Sequence, residues 1–417
     1  MADARADLVR LQNECVSALL AAILPHNRFY ARKLAGCDLT DFHKIPFTTK
    51  AELLADQAQS PPYGTDLTYP LTRYSRFHQT SGTSGQPLRW LDTPESWAWT
   101  LDNWDEMYRL AGLQPDDRLF FAFSFGPFLG FWTAFEAAAR RGYLCLPGGG
   151  MSSSARLRFL LDNLATVVLC TPTYALRLAE VAAQEGIDLA GSPVRMLIVA
   201  GEPGGNIPAT RQRIEAAWGA RVIDHCGMTE IGPTAIECAA KPGGLHIVET
   251  AFLPEVIHPE DHGPVAPGTD GELVLTNLGR LGSPLLRYRT GDLVRVDPRP
   301  CPCGSSFVRL DGGVRGRMDE MIVIRGNNVY PSALQTILHR FAEVVEYRIA
   351  VDWSGLPSLH IDVELSADAD AAVTTRIDQA IQTELLFRAQ LRAVAPGTLP
   401  RFEMKARRIV EKSAGEA

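Results

Sequence analysis

Short apolar runs alternate with amphipathic stretches between residues 118 and 223, and this alternation constrains the fold more than any other feature of the sequence. The runs cover residues 119–123, 166–170, 194–199 and 220–223. Apolar residues at helical spacing predict helices near 155–164, 173–185 and 209–218. Buried strands separated by helices are typical of βαβ units. The sequence therefore predicts an α/β protein built on a parallel sheet.

The segments on either side of this region have different patterns. The first 40 residues predict helix, and Thr49-Lys50-Ala51-Glu52 has the form of a capping box that opens another helix. After about residue 245 strand-like runs with Gly and Pro turns prevail, and residues 314–319 resemble a hinge before a compact α+β unit. We therefore expect a large N-terminal domain over 1–316, with a β-rich subdomain at about 245–316, and a small C-terminal domain over 317–417.

Composition and charge favour a soluble enzyme. The 417 residues carry a net charge of −7, and no basic run suggests a nucleic-acid partner. The sequence has neither an apolar stretch of membrane-spanning length nor the basic-then-apolar order of a secretory signal. Eight cysteines without such a signal indicate a reducing cytosol, where thiols are core residues, catalysts or metal ligands. We expect a cytoplasmic enzyme that binds neither nucleic acid nor a membrane.

A loop rich in glycine and hydroxyl groups, TSGTSGQP at residues 80–87, follows a probable strand at 76–79. Glycine lets backbone N–H groups approach a polyphosphate, and short hydroxylated side chains add donors without bulk. Such a cluster is also common in ordinary turns. The loop therefore gains meaning only from its agreement with other segments.

Five separated segments together resemble a known family. They are residues 80–87, Gly201-Glu202-Pro203, 227–230 (GMTE), 287–292 (RYRTGD), and 316–319 (GRMD) with 325–331 (RGNNVYP). In this order and spacing they resemble the adenylate-forming superfamily of acyl-CoA synthetases, adenylation domains and luciferases. The phenylacetate–CoA ligase branch is the most similar, through residues 146–150 (LPGGG), 171–174 (TPTY) and 323–328 (VIRGNN).

The resemblance implies a reaction in two halves. A carboxylate attacks the α-phosphate of ATP, which releases pyrophosphate and leaves an acyl-adenylate; a thiol, usually that of CoA, then displaces AMP. Such chemistry needs positioning and charge neutralisation more than covalent participation by the protein. The implied catalytic residues are Lys405, Thr229 and Glu230, with Glu230 as the Mg²⁺ ligand. The implied ATP-binding residues are Ser81, Gly82, Thr83, Ser84, Gly85, Gly201, Glu202, Pro203, Asp224, His225, Cys226, Asp292 and Arg317.

The resemblance also implies that the C-terminal domain is mobile. It rotates between the half-reactions about a pivot at Asp319, withdraws the lysine and brings Gly326, Asn327 and Asn328 to CoA. The residue types alone leave simpler alternatives open. The acids at 230 and 292 suit a helix start and a turn, residues 317 and 319 suit a surface ion pair, and a lysine in a basic tail is normally solvated.

Two positions depart from the family pattern. Gln86 stands where the phosphate loop usually has lysine, which removes a charge but leaves the backbone cradle. Cys226 stands where the branch usually has an aromatic residue that stacks on adenine. Either the preceding His225 or another side chain must then cover the base.

Four residues of the β-rich region suit a structural zinc site. Cys301-Pro302-Cys303-Gly304 is a tight turn with two thiols, and Cys238 and His246 lie upstream. Three thiolates and one imidazole form a sound tetrahedral zinc set. The spacing is not that of a standard zinc finger, so free thiols in a loop remain the alternative.

The acid substrate is predicted to be aromatic. By the resemblance, the segment 123–132 (FSFGPFLGFW) would lie where relatives build the acid pocket, and aromatic side chains beside glycine backbone suit a planar ring. Taken alone, a run of phenylalanine and tryptophan is more often part of a hydrophobic core, and that alternative stays open here. The predicted pocket residues are Phe125, Gly126, Gly149, Gly227 and Met228. We expect benzoate, anthranilate or phenylacetate as the type of acid and CoA as acceptor, with a carrier-protein phosphopantetheine thiol as the alternative acceptor. The branch also implies a homodimer.

Overall fold

The computed structural model describes residues 2–80, 86–324, 327–352, 358–370, 372–385, 387–402 and 406–411. The N-terminal segment is helical, as predicted, and its helices are α1 (Ala2–Ile23), α2 (Arg28–Lys33) and α3 (Lys50–Gln59). The predicted capping box begins α3: the Thr49 hydroxyl accepts from the Glu52 amide, and the Glu52 carboxylate accepts from the Thr49 amide. Local sequence therefore decides where this helix begins.

The central layer is an eight-stranded sheet. Its strands are β3 (Arg118–Phe121), β4 (Leu144–Pro147), β5 (Val167–Cys170), β6 (Met196–Val199), β7 (Arg221–Met228), β8 (Gly232–Ile236), β9 (Gly244–Ile247) and β13 (Arg309–Asp311). The order is β13-β9-β8-β7-β6-β5-β3-β4, with β4, β3, β5, β6 and β7 parallel and the others antiparallel. The predicted parallel βαβ region is therefore confirmed, and each predicted strand in it is present.

Helices of the same region contribute to two hydrophobic cores. They are α4 (Pro94–Ala111), α5 (Trp132–Arg140), α6 (Ser153–Asp162), α7 (Pro172–Gln184) and α8 (Pro208–Trp218). Several begin at a cap that the sequence supplies. At α7, for example, the Thr171 hydroxyl accepts from the Tyr174 amide at 3.1 Å, and Pro172 occupies the first helical position.

Two smaller antiparallel sheets lie around this layer in the N-terminal part. One is the hairpin of β1 (Arg76–Gln79) and β2 (Arg89–Asp92), which brackets the predicted phosphate loop. The other has the order β10-β11-β12-β14 and comprises β10 (Phe252–Ile257), β11 (Asp270–Asn277), β12 (Tyr288–Arg295) and β14 (Gly316–Arg317). The β-rich texture predicted after residue 245 is thus confirmed.

The C-terminal part has a separate core, in which Leu334, Ile349, Ile361 and Ile377 are fully buried. Its elements are β15 (Ile322–Ile324), β16 (Asn327–Val329), α9 (Pro331–His339), β17 (Val344–Asp352), β18 (Ser358–Leu365), α10 (Val373–Leu385), β19 (Gln390–Val394) and β20 (Ile409–Glu411). The main sheet has the order β19-β18-β17-β20. A large α/β domain and a smaller C-terminal α+β domain are therefore both present. Among the described helices, none is long and apolar enough to cross a membrane.

Candidate active site

Several predicted site residues follow the carboxyl ends of adjacent parallel strands. Gly201-Glu202-Pro203 follows β6 after one intervening residue, Ala200, and Met228 ends β7. Thr171, from the segment that resembles the branch, comes directly after β5. Gly201 has φ of +94°, a conformation that favours glycine at this turn. Ligands of open α/β sheets bind at this edge, because the loops there converge. The strand order therefore brings segments far apart in sequence to one candidate site.

The turn that carries the half-buried Thr229 and the buried Glu230 is held by hydrogen bonds. The Tyr288 hydroxyl donates to Glu230 Oε1 at 2.9 Å, and the Leu129 amide donates to the Thr229 hydroxyl at 3.5 Å. Burial and the nearby Glu230 carboxylate raise the pKa of Tyr288 well above its ordinary value, so its hydroxyl remains a donor. This bond orients one carboxylate oxygen of Glu230, a group of the hard-oxygen type that Mg²⁺ prefers.

A buried ion pair contacts the backbone of this turn. Arg280 and Asp92 are fully buried and joined by two bonds, from Nε to Oδ1 at 2.6 Å and from Nη2 to Oδ2 at 2.7 Å. Arg280 Nη1 also donates to the carbonyl oxygens of Glu230, at 2.9 Å, and Thr229, at 3.3 Å. Sequence analysis missed both residues, because neither lies in one of the five recognised segments.

Asp292 and Arg317 lie directly opposite each other on the paired strands β12 and β14. Arg317 Nη1 donates to Asp292 Oδ1 at 2.9 Å, and the Asp292 side chain is buried. Two segments 25 residues apart are therefore joined by sheet register. Arg317 therefore pairs with Asp292. The Asp319 side chain is not among the described ones, so the ion pair between residues 317 and 319 stays an untested alternative.

Asp224 is hydrogen-bonded to the 201–206 loop and to the neighbouring Glu237. Asn206 Nδ2 donates to the Asp224 carboxylate. The backbone amide of Asp224 donates to Glu237 Oε2 at 3.0 Å. Burial, followed by the charge of Glu237, raises the pKa of Asp224 to about 7. Arg211 donates to the Gly205 carbonyl at 2.9 Å and so ties helix α8 to the same loop.

The structure places His225 and Cys226, two of the predicted ATP-binding residues, on opposite faces of β7. His225 is buried, with its ring centroid 4.5 Å from that of Trp104, and Nδ1–H donates to the Ala235 carbonyl at 2.9 Å. Burial lowers the pKa of His225 to about 4, so the ring is neutral at physiological pH. Successive side chains of β7 point to opposite faces. Cys226 is therefore on the other face and is half-buried, as are Asp224 and Met228.

The predicted acid pocket is an aromatic cluster. The Phe125 ring lies 4.5 Å from Trp132, 5.3 Å from Phe135 and 5.7 Å from Phe123, measured between centroids. Trp132 Nε1 donates to the Gly126 carbonyl at 3.0 Å, which holds the loop against α5.

Two glycines of the predicted pocket stand at tight positions. A Cβ on Gly149 would lie 3.3 Å from the Phe123 carbonyl oxygen, and one on Gly227 would lie 2.8 Å from the Gly232 carbonyl oxygen. Gly227 therefore permits the close approach of β7 to β8, just before the Thr229 turn.

The four residues predicted to bind zinc meet at one point. The ligand atoms of Cys238, His246, Cys301 and Cys303 all lie within 4.8 Å of one another. Cys238 Sγ is 3.6 Å from Cys301 Sγ, and Cys303 Sγ is 3.4 Å from His246 Nε2. Zn–S bonds of about 2.3 Å and Zn–N bonds of about 2.0 Å place tetrahedral ligand atoms roughly 3.5–3.8 Å apart. The separations of these two pairs thus fit zinc.

Other predicted residues lie wholly or partly outside the described part of the chain. The phosphate-loop residues Ser81 to Gly85, the CoA-loop residue Gly326 and Lys405 lie outside it. Asn327 and Asn328 belong to β16, and Asp319 belongs to a 3-10 turn at Met318–Glu320. Their side chains are not among the described ones.

Comparisons with known proteins agree with this arrangement. The family described as "AMP-binding enzyme" matches residues 77–279, and the "AMP-binding enzyme C-terminal domain" matches residues 326–413. A phenylacetate–coenzyme A ligase of Escherichia coli (strain K12) is 32% identical over 393 residues, covering 90% of this chain and 86% of the relative.

Two solved structures of a 2-hydroxyisobutyryl-CoA ligase are also similar. The postadenylation state with 2-HIB-AMP superposes with a TM-score of 0.89, at 29% identity over 98% of this chain and 89% of that one. The thioesterification state with 2-HIB-AMP and CoA gives 0.72, at 30% identity over 98% and 90%. The chain is thus a member of the AMP-binding, adenylate-forming enzyme family in its phenylacetate–CoA ligase branch, and it is an AMP-forming acid–thiol ligase.

Proposed function

We propose that this enzyme activates an aromatic carboxylic acid with ATP and transfers the acyl group from AMP to CoA. The observation that supports this best is the aromatic cluster around Phe125, which adjoins the Thr229 turn through the bond from the Leu129 amide. Aromatic rings pack edge-to-face and offset against a flat substrate. An aryl acid there would have its carboxylate near the residues assigned to the α-phosphate.

The proposed roles follow the family resemblance. Residues 81–85 hold the β- and γ-phosphates, and Thr229 donates to the α-phosphate. Glu230 binds Mg²⁺ through a carboxylate that Tyr288 orients. Asp292 accepts from the ribose hydroxyls, and Lys405 stabilises the charge that develops in adenylation. Mg²⁺, when bound, neutralises phosphate charge and orients ATP for attack.

The substrate class is tested by mass spectrometry of the products from purified enzyme, ATP and Mg²⁺. The acid panel contains benzoate, anthranilate, phenylacetate and, as a small aliphatic acid, 2-hydroxyisobutyrate. We expect an acyl-CoA from one of the aryl acids. Turnover of 2-hydroxyisobutyrate alone would contradict the aromatic assignment and leave adenylation intact, since a similar structure belongs to a ligase for that acid.

The acceptor is tested in the same reactions by omitting CoA or replacing it. We expect acyl-AMP to accumulate without CoA and acyl-CoA to form with it. Acyl-AMP that persists in CoA but disappears on adding a phosphopantetheinylated carrier protein would favour the alternative acceptor. The homodimer and the cytoplasmic location stay predictions, and light scattering on the same preparation would test the first.

We further propose a structural zinc ion at Cys238, His246, Cys301 and Cys303, which we call the thiol–imidazole cluster. His246 Nδ1–H donates to the Phe307 carbonyl at 3.2 Å, which leaves Nε2 free for metal. The Ser305 amide donates to Cys303 Sγ at 3.5 Å, a contact that favours a thiolate. With four protein ligands the site would be closed and would fasten the 301–308 loop to β9.

Metal analysis tests this proposal directly. We expect about one zinc per chain in protein purified without chelator. Cys303→Ser should lower the zinc content and reduce Tm by at least ~3 °C, because metal binding contributes to folding. Cys37→Ser, which removes a thiol outside the cluster, is the matched control and should keep the zinc. A metal-free wild-type protein, or unchanged zinc in Cys303→Ser, would disprove the site.

A further inference from the structure

The Glu202 carboxylate contacts both domains. Its Oε1 accepts from the Thr173 amide at 2.8 Å, in the first turn of α7. Its Oε2 accepts from the Ala406 amide at 2.7 Å, in the segment that leads into β20 of the C-terminal sheet. Both carboxylate oxygens are therefore engaged by backbone donors, and the donors are 233 residues apart (406 − 173).

A second contact attaches the same segment two residues later. Arg408 is held inside the C-terminal domain by two bonds to the buried Glu346, from Nε at 2.5 Å and from Nη2 at 3.0 Å. Its Nη1 donates across to the Thr173 hydroxyl at 3.0 Å. Because Glu346 holds the Arg408 side chain, this bond attaches the C-terminal sheet to the start of α7.

The surface between the domains is polar here. A cavity of about 40 Å³ separates α7 and α8 from the C-terminal sheet, and Glu180, Arg213 and Tyr347 are among the residues that line it. At its margin the Thr210 hydroxyl is hydrogen-bonded to His339 Nδ1. Polar interdomain surfaces separate more readily than apolar ones. The described contacts thus suit an interface that forms and opens during turnover.

The arrangement of the two domains identifies the state in which these contacts form. The chain superposes better on the postadenylation state of the similar ligase, with a TM-score of 0.89, than on its thioesterification state, with 0.72. Identity and coverage are nearly equal in the two comparisons, at 29% and 30% over 98% of this chain. The contacts of Glu202 therefore belong to a domain arrangement close to that of the postadenylation state, in which the acyl-adenylate has formed and CoA has not yet reacted.

We propose that Glu202 is a positioning residue, whose carboxylate holds the segment at Ala406 to the N-terminal domain for adenylation and releases it for thioester formation. Lys405, the sequence-predicted adenylation lysine, directly precedes Ala406 in the chain. This role differs from the direct nucleotide contact that the sequence predicts for Glu202. It rests on the proposed function, because it concerns the same two half-reactions.

The test measures each half-reaction separately in Glu202→Ala and Glu202→Gln. Glutamine presents an NH₂ group to one of the two backbone donors, so it can keep only one of the bonds. We expect acid-dependent ATP–pyrophosphate exchange to fall about tenfold, through kcat, with the KM for ATP nearly unchanged. Thioester formation from synthetic acyl-AMP and CoA should stay within about twofold of wild type.

Glu180→Gln is the matched control, because Glu180 lines the same cavity and its carboxylate accepts from Arg177 at 3.1 Å. Hydrogen exchange of peptides spanning 406–411 gives a readout that does not depend on activity. It should become faster in both Glu202 variants and stay unchanged in Glu180→Gln.

Each other result contradicts the proposal in a distinct way. An increased KM for ATP with unchanged kcat would make Glu202 a nucleotide ligand, and an equal fall in both half-reactions would make it a general support of the fold. If ATP–pyrophosphate exchange and hydrogen exchange were both unchanged in the Glu202 variants, the contact would have no role. A wild-type enzyme inactive with every acid would instead refute the proposed function, and hydrogen exchange would then decide the contact alone.

Discussion

Glu230→Gln should lower the rate of acyl-AMP formation about 100-fold, which corresponds to ~2.7 kcal/mol of transition-state stabilisation. Glutamine keeps the shape of the side chain and still accepts from the Tyr288 hydroxyl, which donates to Glu230 Oε1 in the wild type. What it removes is the negative charge of the proposed magnesium ligand. The rate is measured by pyrophosphate exchange over a range of Mg²⁺ concentrations, and the concentration for half-maximal rate should rise.

Two controls separate charge from local structure. Tyr288→Phe removes the orienting bond but keeps the carboxylate, so we expect a loss of only a few fold. Glu14→Gln makes the same chemical change at an exposed position of α1 and should behave as wild type. A Glu230→Gln enzyme with wild-type rate and unchanged Mg²⁺ dependence would remove Glu230 from the metal site.

Arg280→Met should lower the free energy of unfolding by about 3–5 kcal/mol, because it leaves the buried Asp92 carboxylate without its guanidinium partner. Both side chains are fully buried, so water cannot replace the lost bonds. Urea denaturation followed by circular dichroism measures the change. Below the unfolding transition, adenylation should also fall, since Arg280 donates to the carbonyl oxygens that shape the Thr229–Glu230 turn.

The double variant Asp92→Leu/Arg280→Met tests this cause. Removing both charges eliminates the unpaired carboxylate, so stability should recover in part relative to Arg280→Met. Arg10→Gln breaks an ion pair with Asp7 on the surface, where the Arg10 side chain is 70% exposed and the Asp7 side chain 65% exposed. This variant should change the free energy of unfolding little. A loss below about 1 kcal/mol in Arg280→Met would show that the buried pair does not support the fold.

Local sequence was sufficient for most of the secondary structure. The apolar runs at 166–170 and 194–199 form the buried strands β5 and β6, since short continuous apolar runs are characteristic of parallel strands that are covered on both faces. The capping box at Thr49 and the Thr171-Pro172 start of α7 act through neighbouring backbone groups. Such signals need no tertiary information, which is why these predictions are confirmed.

Recognition of the five segments predicted the reaction class, but it did not predict the contacts that hold the site residues in place. Tyr288 was within a recognised segment, yet its bond to Glu230 joins positions 58 residues apart, and the bond from Arg280 to Asp92 spans 188. Burial of His225 against Trp104, with half-buried Cys226 on the other face, depends on how β7 sits in the sheet. None of these contacts has a local signal in the sequence.

By itself, the sequence determined the strand–helix alternation, the helix caps and the residue types of a phosphate loop, a carboxylate turn and a thiol-rich turn. Only the tertiary structure decided which of these residues meet. Sheet register placed Asp292 opposite Arg317, and packing brought Cys238 to Cys301 and Glu202 to the Ala406 amide. The physical reason is that propensity and capping act within a few residues, whereas partners in a buried site are selected by the packing of whole elements.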